Sequence, residues 1–120
     1  LPFQDDMSTF YKSIDVIVLP SVNEAFGLVV LEAMSFAKPA IVSNTAGASE
    51  IIDKTNGIIF NRHSVFDFID KIKYFIDIYD NHFDKYKQLS YSAILTAKKY
   101  TWKQFAEKII NKKDHTQLNY

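Results

Sequence analysis

Two carboxylates, Glu24 and Glu32, are separated by seven intervening residues in the stretch from Pro20 to Glu50, PSVNEAFGLVVLEAMSFAKPAIVSNTAGASE. From Ala25 to Ala37 the only charged residue is Glu32, and Phe26, Leu28, Val29, Val30, Leu31, Met34 and Phe36 cover nearly every direction around it. A helix of that composition has little wet face and belongs between other layers. An unpaired carboxylate buried there would cost several kcal/mol or be forced to protonate, so Glu32 must pair with a cation, cap buried donors or face a ligand. No lysine or arginine lies one helical turn away to neutralise it.

The flanking residues say how the pair is positioned. Asp15 to Leu19 reads as a short buried strand, Ser21 to Glu24 as a loop, and Gly27 falls where a helix would begin, letting its backbone approach another molecule closely. Strand, loop, helix is an anion-cradling arrangement, because the first amides of the helix lack intrahelical acceptors and the macrodipole adds to them. Ligands of open α/β sheets gather at this edge. Over eight residues a helix turns roughly 800°, which places Glu24 at the mouth and Glu32 about a turn and a half inside. Lys38-Pro39 stops the helical run, Ala40 to Ser43 reads as a second buried strand, and Asn44 to Ala48 as the loop after it. The strand, helix, strand order predicts parallel pairing. Asn56-Gly57 opens a third strand over 57–60.

The helices follow from periodicity. Met7, Phe10, Tyr11 and Ile14 form the stripe of a short amphipathic helix over 5–13, leading into the first strand. Ser64 with Asp67 resembles a capping box, heading a helix with a stripe of Val65, Phe68, Ile69, Ile72, Phe75, Ile76 and Tyr79. A further helix spans about 84–99 with Tyr86, Leu89, Ala93, Ala97 and Tyr100 inward. Thr101 and Gln104 cap a last one over 101–112, with Trp102, Phe105, Ala106, Ile109 and Ile110 on one face, before a patternless tail from Asp114. The fold class is α/β: three layers around a parallel sheet with strands near 15–19, 40–43 and 57–60, followed by carboxyl-terminal helices.

At this point the residues resemble a known family. Asp15-Val-Ile-Val-Leu-Pro-Ser21, Glu24-Ala-Phe-Gly-Leu28, Leu31-Glu-Ala-Met34, Lys38-Pro-Ala-Ile-Val42, Ala46-Gly47 with Glu50-Ile-Ile52, and Asn56-Gly-Ile-Ile59 are similar, in order, to the Glu-x7-Glu region of retaining, two-Rossmann-domain (GT-B) glycosyltransferases. Six ordered blocks are far more specific than the two glutamates. The family often has Gly at position 25 and a Gly-Gly pair near 47, where this chain has Ala25 and Ala48, a less permissive backbone.

The resemblance implies a Rossmann-like partial domain, residues 1–120, forming the nucleotide-sugar-binding half of a hexosyltransferase. Glu32 would accept hydrogen bonds from ribose hydroxyls and Glu24 from donor-sugar hydroxyls. The backbone around Ala25, Phe26, Gly27 and Leu28 would meet sugar or diphosphate, with Ser21, Asn23 and Gly47 as further candidates near the donor. The reaction would proceed without a tightly bound cofactor or metal, from a nucleoside diphosphate sugar to a glycan or lipid-linked acceptor. The helix over 101–112 would cross to an absent amino-terminal domain that holds the acceptor site. The abrupt Leu1-Pro2 start suits a fragment, expected to be inactive alone, with its Trp102 face inviting self-association.

Composition bounds the alternatives. The 120 residues, 48% hydrophobic and 15% aromatic, allow one packed domain. A formal charge of zero and a single arginine argue against nucleic acid as a partner. Without cysteine there is no disulfide or thiolate metal site. No apolar run approaches the roughly 18 residues of a membrane span, so a cytoplasmic location is expected. Lys98-Lys99 and Lys112-Lys113 read as solvated helix ends, with contact at a membrane surface as the alternative. His63, His82 and His115 are scattered among polar neighbours and read as surface residues. Gly27 and Gly47 also admit a plain turn reading. The competing function is a noncatalytic α/β binding or regulatory module, such as a receiver-like domain. That would want an acidic cluster and a phosphorylatable Asp at strand ends, whereas these strands end in Leu19-Pro20 and Ser43-Asn44. A degenerate transferase retained for interaction is the third reading.

Overall fold

The computed structural model describes residues 4–20, 27–44 and 47–100, with the backbone alone at 4–7, 27–28 and 47–48. Its elements run α1 (Gln4–Ser13), β1 (Ile17–Leu19), α2 (Gly27–Ser35), β2 (Ala40–Ser43), a short 3-10 turn (Gly47–Glu50), β3 (Gly57–Phe60), α3 (Val65–Asn81) and α4 (Phe83–Lys99). The three strands form one parallel sheet in the order β1-β2-β3, with Ile17 beside Ala40 and Ala40 beside Gly57. Each crossover brings a helix or turn back over the sheet, as parallel pairing requires.

The middle strand explains the layering. All of β2 is buried, and alternation sends Ala40 and Val42 to one face and Ile41 to the other. On the first face they meet Leu19, Val30, Leu31, Met34, Ile51 and Ile52, so α2 is the covering layer. On the second, Ile41 joins Ile58, Phe60, Phe75 and Ile78, so α3 covers it. Helix α4 serves both faces: Tyr86 and Leu89 pack with the α3 side, Ala93 and Ala97 with the α2 side. Seven residues of helix advance about 10 Å, enough to pass from one layer to the other.

Hydrogen bonds show where α4 crosses. Tyr86 Oη donates to the Asp15 carbonyl at 2.7 Å, just ahead of β1. Asn56 Nδ2 donates to Thr96 Oγ1 at 2.9 Å, just ahead of β3. Helix α4 therefore straps the amino-terminal ends of the strands. Asn56, predicted as a strand-opening turn residue, is 2% exposed and fully engaged: it also donates to the Ile51 carbonyl and accepts from the Asp53 amide, both at 2.9 Å.

Several expectations need correction. The first strand starts at Ile17 rather than Asp15, because the Asp15 carbonyl is taken by Tyr86 and its carboxylate accepts from Tyr79 Oη at 3.0 Å; the ladder begins with the Ile17 amide on the Pro39 carbonyl. Nor is it wholly buried, since Val18 on this outer strand is 37% exposed. In α3, Val65, Ile69 and Ile76 face solvent while Ile78 is buried. That helix touches a single sheet face and α4, so its dry stripe is the narrower row Phe68, Ile72, Phe75, Ile78 and Tyr79. Phe10 of α1 is likewise exposed. Only half of the capping box forms: Ser64 Oγ accepts from the Asp67 amide at 3.0 Å, but the Asp67 carboxylate turns to the Asn61 amide and Lys71. The loop expected over 44–48 gives way at Gly47 to the 3-10 turn.

After α2 the chain reverses in a Schellman turn, with the Lys38 amide on the Ala33 carbonyl at 3.1 Å and the Ala37 amide on the Met34 carbonyl at 2.9 Å. Ala37 takes φ 63°, the left-handed conformation that glycine holds more cheaply. The helix expected over 101–112, with Trp102, and Lys112-Lys113 and His115 lie outside the described residues.

Candidate functional site

Helix α2 leaves the carboxyl end of β1, so its amino terminus lies at the carboxyl edge of the parallel sheet. Val30, Leu31, Ala33 and Met34 are buried, while Val29, Glu32 and Phe36 are half-buried and Ser35 is exposed. Val29, Glu32 and Phe36 follow i, i+3, i+7 spacing and so share one side of the helix. Against that side packs Tyr11 of α1, fully buried, its ring stacked on Phe36 at 5.4 Å with 19° between planes.

Tyr11 Oη donates to Glu32 Oε1 at 3.2 Å. Of the three partners that the sequence allowed Glu32, the structure supplies a buried donor, and no cation pairs with it among the described residues. The Tyr11 phenol is pushed up to about 12, first by burial and then by the charge and hydrogen bond of Glu32. The periodicity that placed Tyr11 in a core stripe missed this contact; the available signal was a hydroxyl where packing alone would accept Phe.

The carboxyl edge of the sheet is itself held by backbone and amide bonds. The Asn44 amide donates to the Phe60 carbonyl at 2.8 Å, and Asn44 Oδ1 accepts from the Arg62 amide at 3.2 Å, tying the exit of β2 to the exit of β3. Gly27 opens α2, Leu28 follows it, and Gly47 opens the 3-10 turn. The candidates Ser21, Asn23, Glu24, Ala25 and Phe26 lie outside the described residues. His63 and His82 are exposed, as their polar neighbours predicted, and His82 Nε2 stands 3.7 Å from Asp77. Among the described residues no group of three or more His, Cys, Asp or Glu is placed to hold a metal ion, and no helix is long and apolar enough to cross a membrane.

A parallel sheet layered between helices, with a half-buried carboxylate on the helix that follows its first strand, defines an α/β domain of Rossmann-like build. The chain belongs to the glycosyl transferases group 1 family, whose model matches residues 1–96. It is 36% identical over 77 residues to D-inositol 3-phosphate glycosyltransferase of Paenarthrobacter aurescens, covering 63% of this chain and 18% of that protein. Over 111 residues it is 32% identical to sulfoquinovosyl transferase SQD2 of Arabidopsis thaliana, covering 89% and 21%. The fold is shared with a solved glycosyltransferase from Rickettsia africae at TM-score 0.72 and 22% identity, covering 97% of this chain and 31% of that one. The chain thus spans about a fifth of the length of these curated relatives. Family membership displaces the receiver-like alternative.

Proposed function

We propose that this chain is the donor-binding half of a retaining glycosyltransferase that moves a hexosyl group from a nucleoside diphosphate sugar to a glycan or lipid-linked acceptor. The observation that carries the reading is Glu32: a half-buried carboxylate on α2, the helix that leaves the carboxyl end of β1, whose described side-chain partner is a single hydroxyl at Oε1, so acceptor lone pairs remain to offer a ligand. Ribose hydroxyls are the complementary donors. Glu24 holds hydroxyls of the sugar being transferred, and the amides at Phe26, Gly27 and Leu28 face sugar or diphosphate at the positive end of α2. Ser21, Asn23, Ala25 and Gly47 complete the donor surroundings.

Transfer passes through an oxocarbenium-like state as charge grows on the departing diphosphate, so the protein's task is to hold the groups in register and stabilise that charge. No tightly bound cofactor takes part. The diphosphate-clamping cations lie upstream of this segment, the acceptor site belongs to an amino-terminal domain to which the helix over 101–112 would cross, and the 120-residue chain by itself turns over no donor. The enzyme works in the cytoplasm, at a membrane surface when its acceptor is lipid-linked.

In the complete enzyme, Glu32→Ala should weaken nucleoside diphosphate binding by roughly 1.5–3 kcal/mol, a charge-assisted hydrogen bond present in both ground and transition states. Glu24→Gln should leave that affinity nearly intact while turnover falls. Calorimetry with the diphosphate and steady-state kinetics on both variants decide it. Diphosphate binding abolished by Glu24→Gln and untouched by Glu32→Ala would reverse the two roles.

A further inference from the structure

The joint between α1 and α2 carries an inference that rests on the reading of Glu32 as the ribose-binding group. We propose that Tyr11 is a positioning residue for that carboxylate: its hydroxyl holds Glu32 Oε1 so that the side chain presents Oε2 to a vicinal diol of the ligand. Three observations support it. Tyr11 is fully buried and clamped, stacked on Phe36 and met edge-on by Phe10 at 5.2 Å and 68°, so its hydroxyl is a fixed point. Its bond to Glu32 joins residues twenty-one positions apart on different helices, so it is tertiary rather than local. A phenol also donates a single hydrogen, to one oxygen, whereas a guanidinium would engage both and a lysine would bring a competing charge.

Physically, the contact prepays an entropic cost. A free glutamate samples many rotamers, and a ligand that must select one binds less tightly than a ligand meeting the right one already formed. The same hydroxyl, buried in apolar surroundings, would itself be costly without an acceptor, which keeps the pair together before ligand arrives.

The test uses the complete enzyme with Tyr11→Phe, Glu32→Gln and the double variant. Calorimetry measures UDP, GDP and ADP against their 2′,3′-dideoxy forms. The readout is the preference for ribose over dideoxyribose with the base that binds. Tyr11→Phe is expected to cut that preference about fivefold, the worth of a net hydrogen bond, leave dideoxy affinity unchanged, and add nothing in the Glu32→Gln background. Introducing 3-fluorotyrosine at position 11 keeps the donor and should keep the preference. Equal weakening of ribose and dideoxy forms by Tyr11→Phe would reduce Tyr11 to packing and overturn the proposal. If Glu32→Gln loses the preference while Tyr11→Phe retains it, the positioning role falls and the Glu32 reading stands. Retention of the preference by Glu32→Gln sinks the reading itself, and the proposal with it.

Discussion

Asn56→Asp changes one buried amide into a carboxyl at constant size, and the structure sets the cost. Asn56 Oδ1 accepts from the Asp53 amide, a bond that aspartate retains, while Nδ2 gives two bonds, to the Ile51 carbonyl and Thr96 Oγ1, that aspartate cannot make. Two net hydrogen bonds at about 0.5–1.5 kcal/mol each, with about 1–3 kcal/mol for a buried carbonyl left unpaired, give a loss of roughly 2–6 kcal/mol. Against a usual total of about 5–15 kcal/mol for a domain, that is a large share. Thr96→Val removes one acceptor at nearly constant shape, and the expected loss is about 1 kcal/mol. Urea denaturation followed by far-UV circular dichroism measures both, and hydrogen exchange at the Ile58 to Phe60 amides reports whether β3 loosens first. Protonation at low pH should return part of the loss in Asn56→Asp. A cost within about 1 kcal/mol of wild type for Asn56→Asp, or equal costs for the two variants, would refute the keystone role of this amide.

Other outcomes follow from single positions. In Gly57→Ala the added Cβ runs into the Ala40 carbonyl oxygen and sits 3.0 Å from Ile52 Cγ2, and because the first obstacle is backbone the variant should lose about 1–3 kcal/mol by urea denaturation. Ala37→Gly relieves the left-handed strain in the turn after α2 and should raise stability by up to about 1 kcal/mol; a decrease would show that the strain is absent. Tyr11, pushed up to about 12, and Tyr86, raised by burial, both lie above the ordinary phenol value of 10.0. Their contribution is therefore complete below about pH 10 and lost as pH climbs toward 12, so the urea midpoint should hold steady and then fall, less steeply in Tyr11→Phe.

Much of the sheet is legible from the sequence. Ala40 to Ser43 and Gly57 to Phe60 are short apolar runs bounded by proline, glycine and asparagine, so local chemistry alone marks them. Helix α4 announces its inward residues because Tyr86, Leu89 and Ala93 recur at i, i+3 and i+7 with polar residues between them. Helix α3 does not: apolar residues ring it, and which of Ile76 and Ile78 turns inward depends on α4 and β3 rather than on its own period. At the site, the need of Glu32 for a partner is legible, since the cost of burial is a local argument. The identity of that partner is not, because Tyr11 reaches it from another helix. Asn56 and Asp15 read as ordinary turn and strand-start residues for the same reason, their decisive contacts lying far along the chain.

The strap made by α4 also governs when the domain can form. It is the last of the described elements in chain order, yet it completes both cores and bonds to residues far upstream, Thr96 to Asn56 across 40 positions and Tyr86 to Asp15 across 71. Contacts of such separation slow folding, because the loop must close before anything is gained. During synthesis the strands, α2 and α3 can emerge and pair, but Ile41, Ile58 and Met34 keep an open flank until residues 83–99 clear the ribosome. Until then the nascent sheet is an apolar surface in water, dependent on speed or on chaperones to escape association.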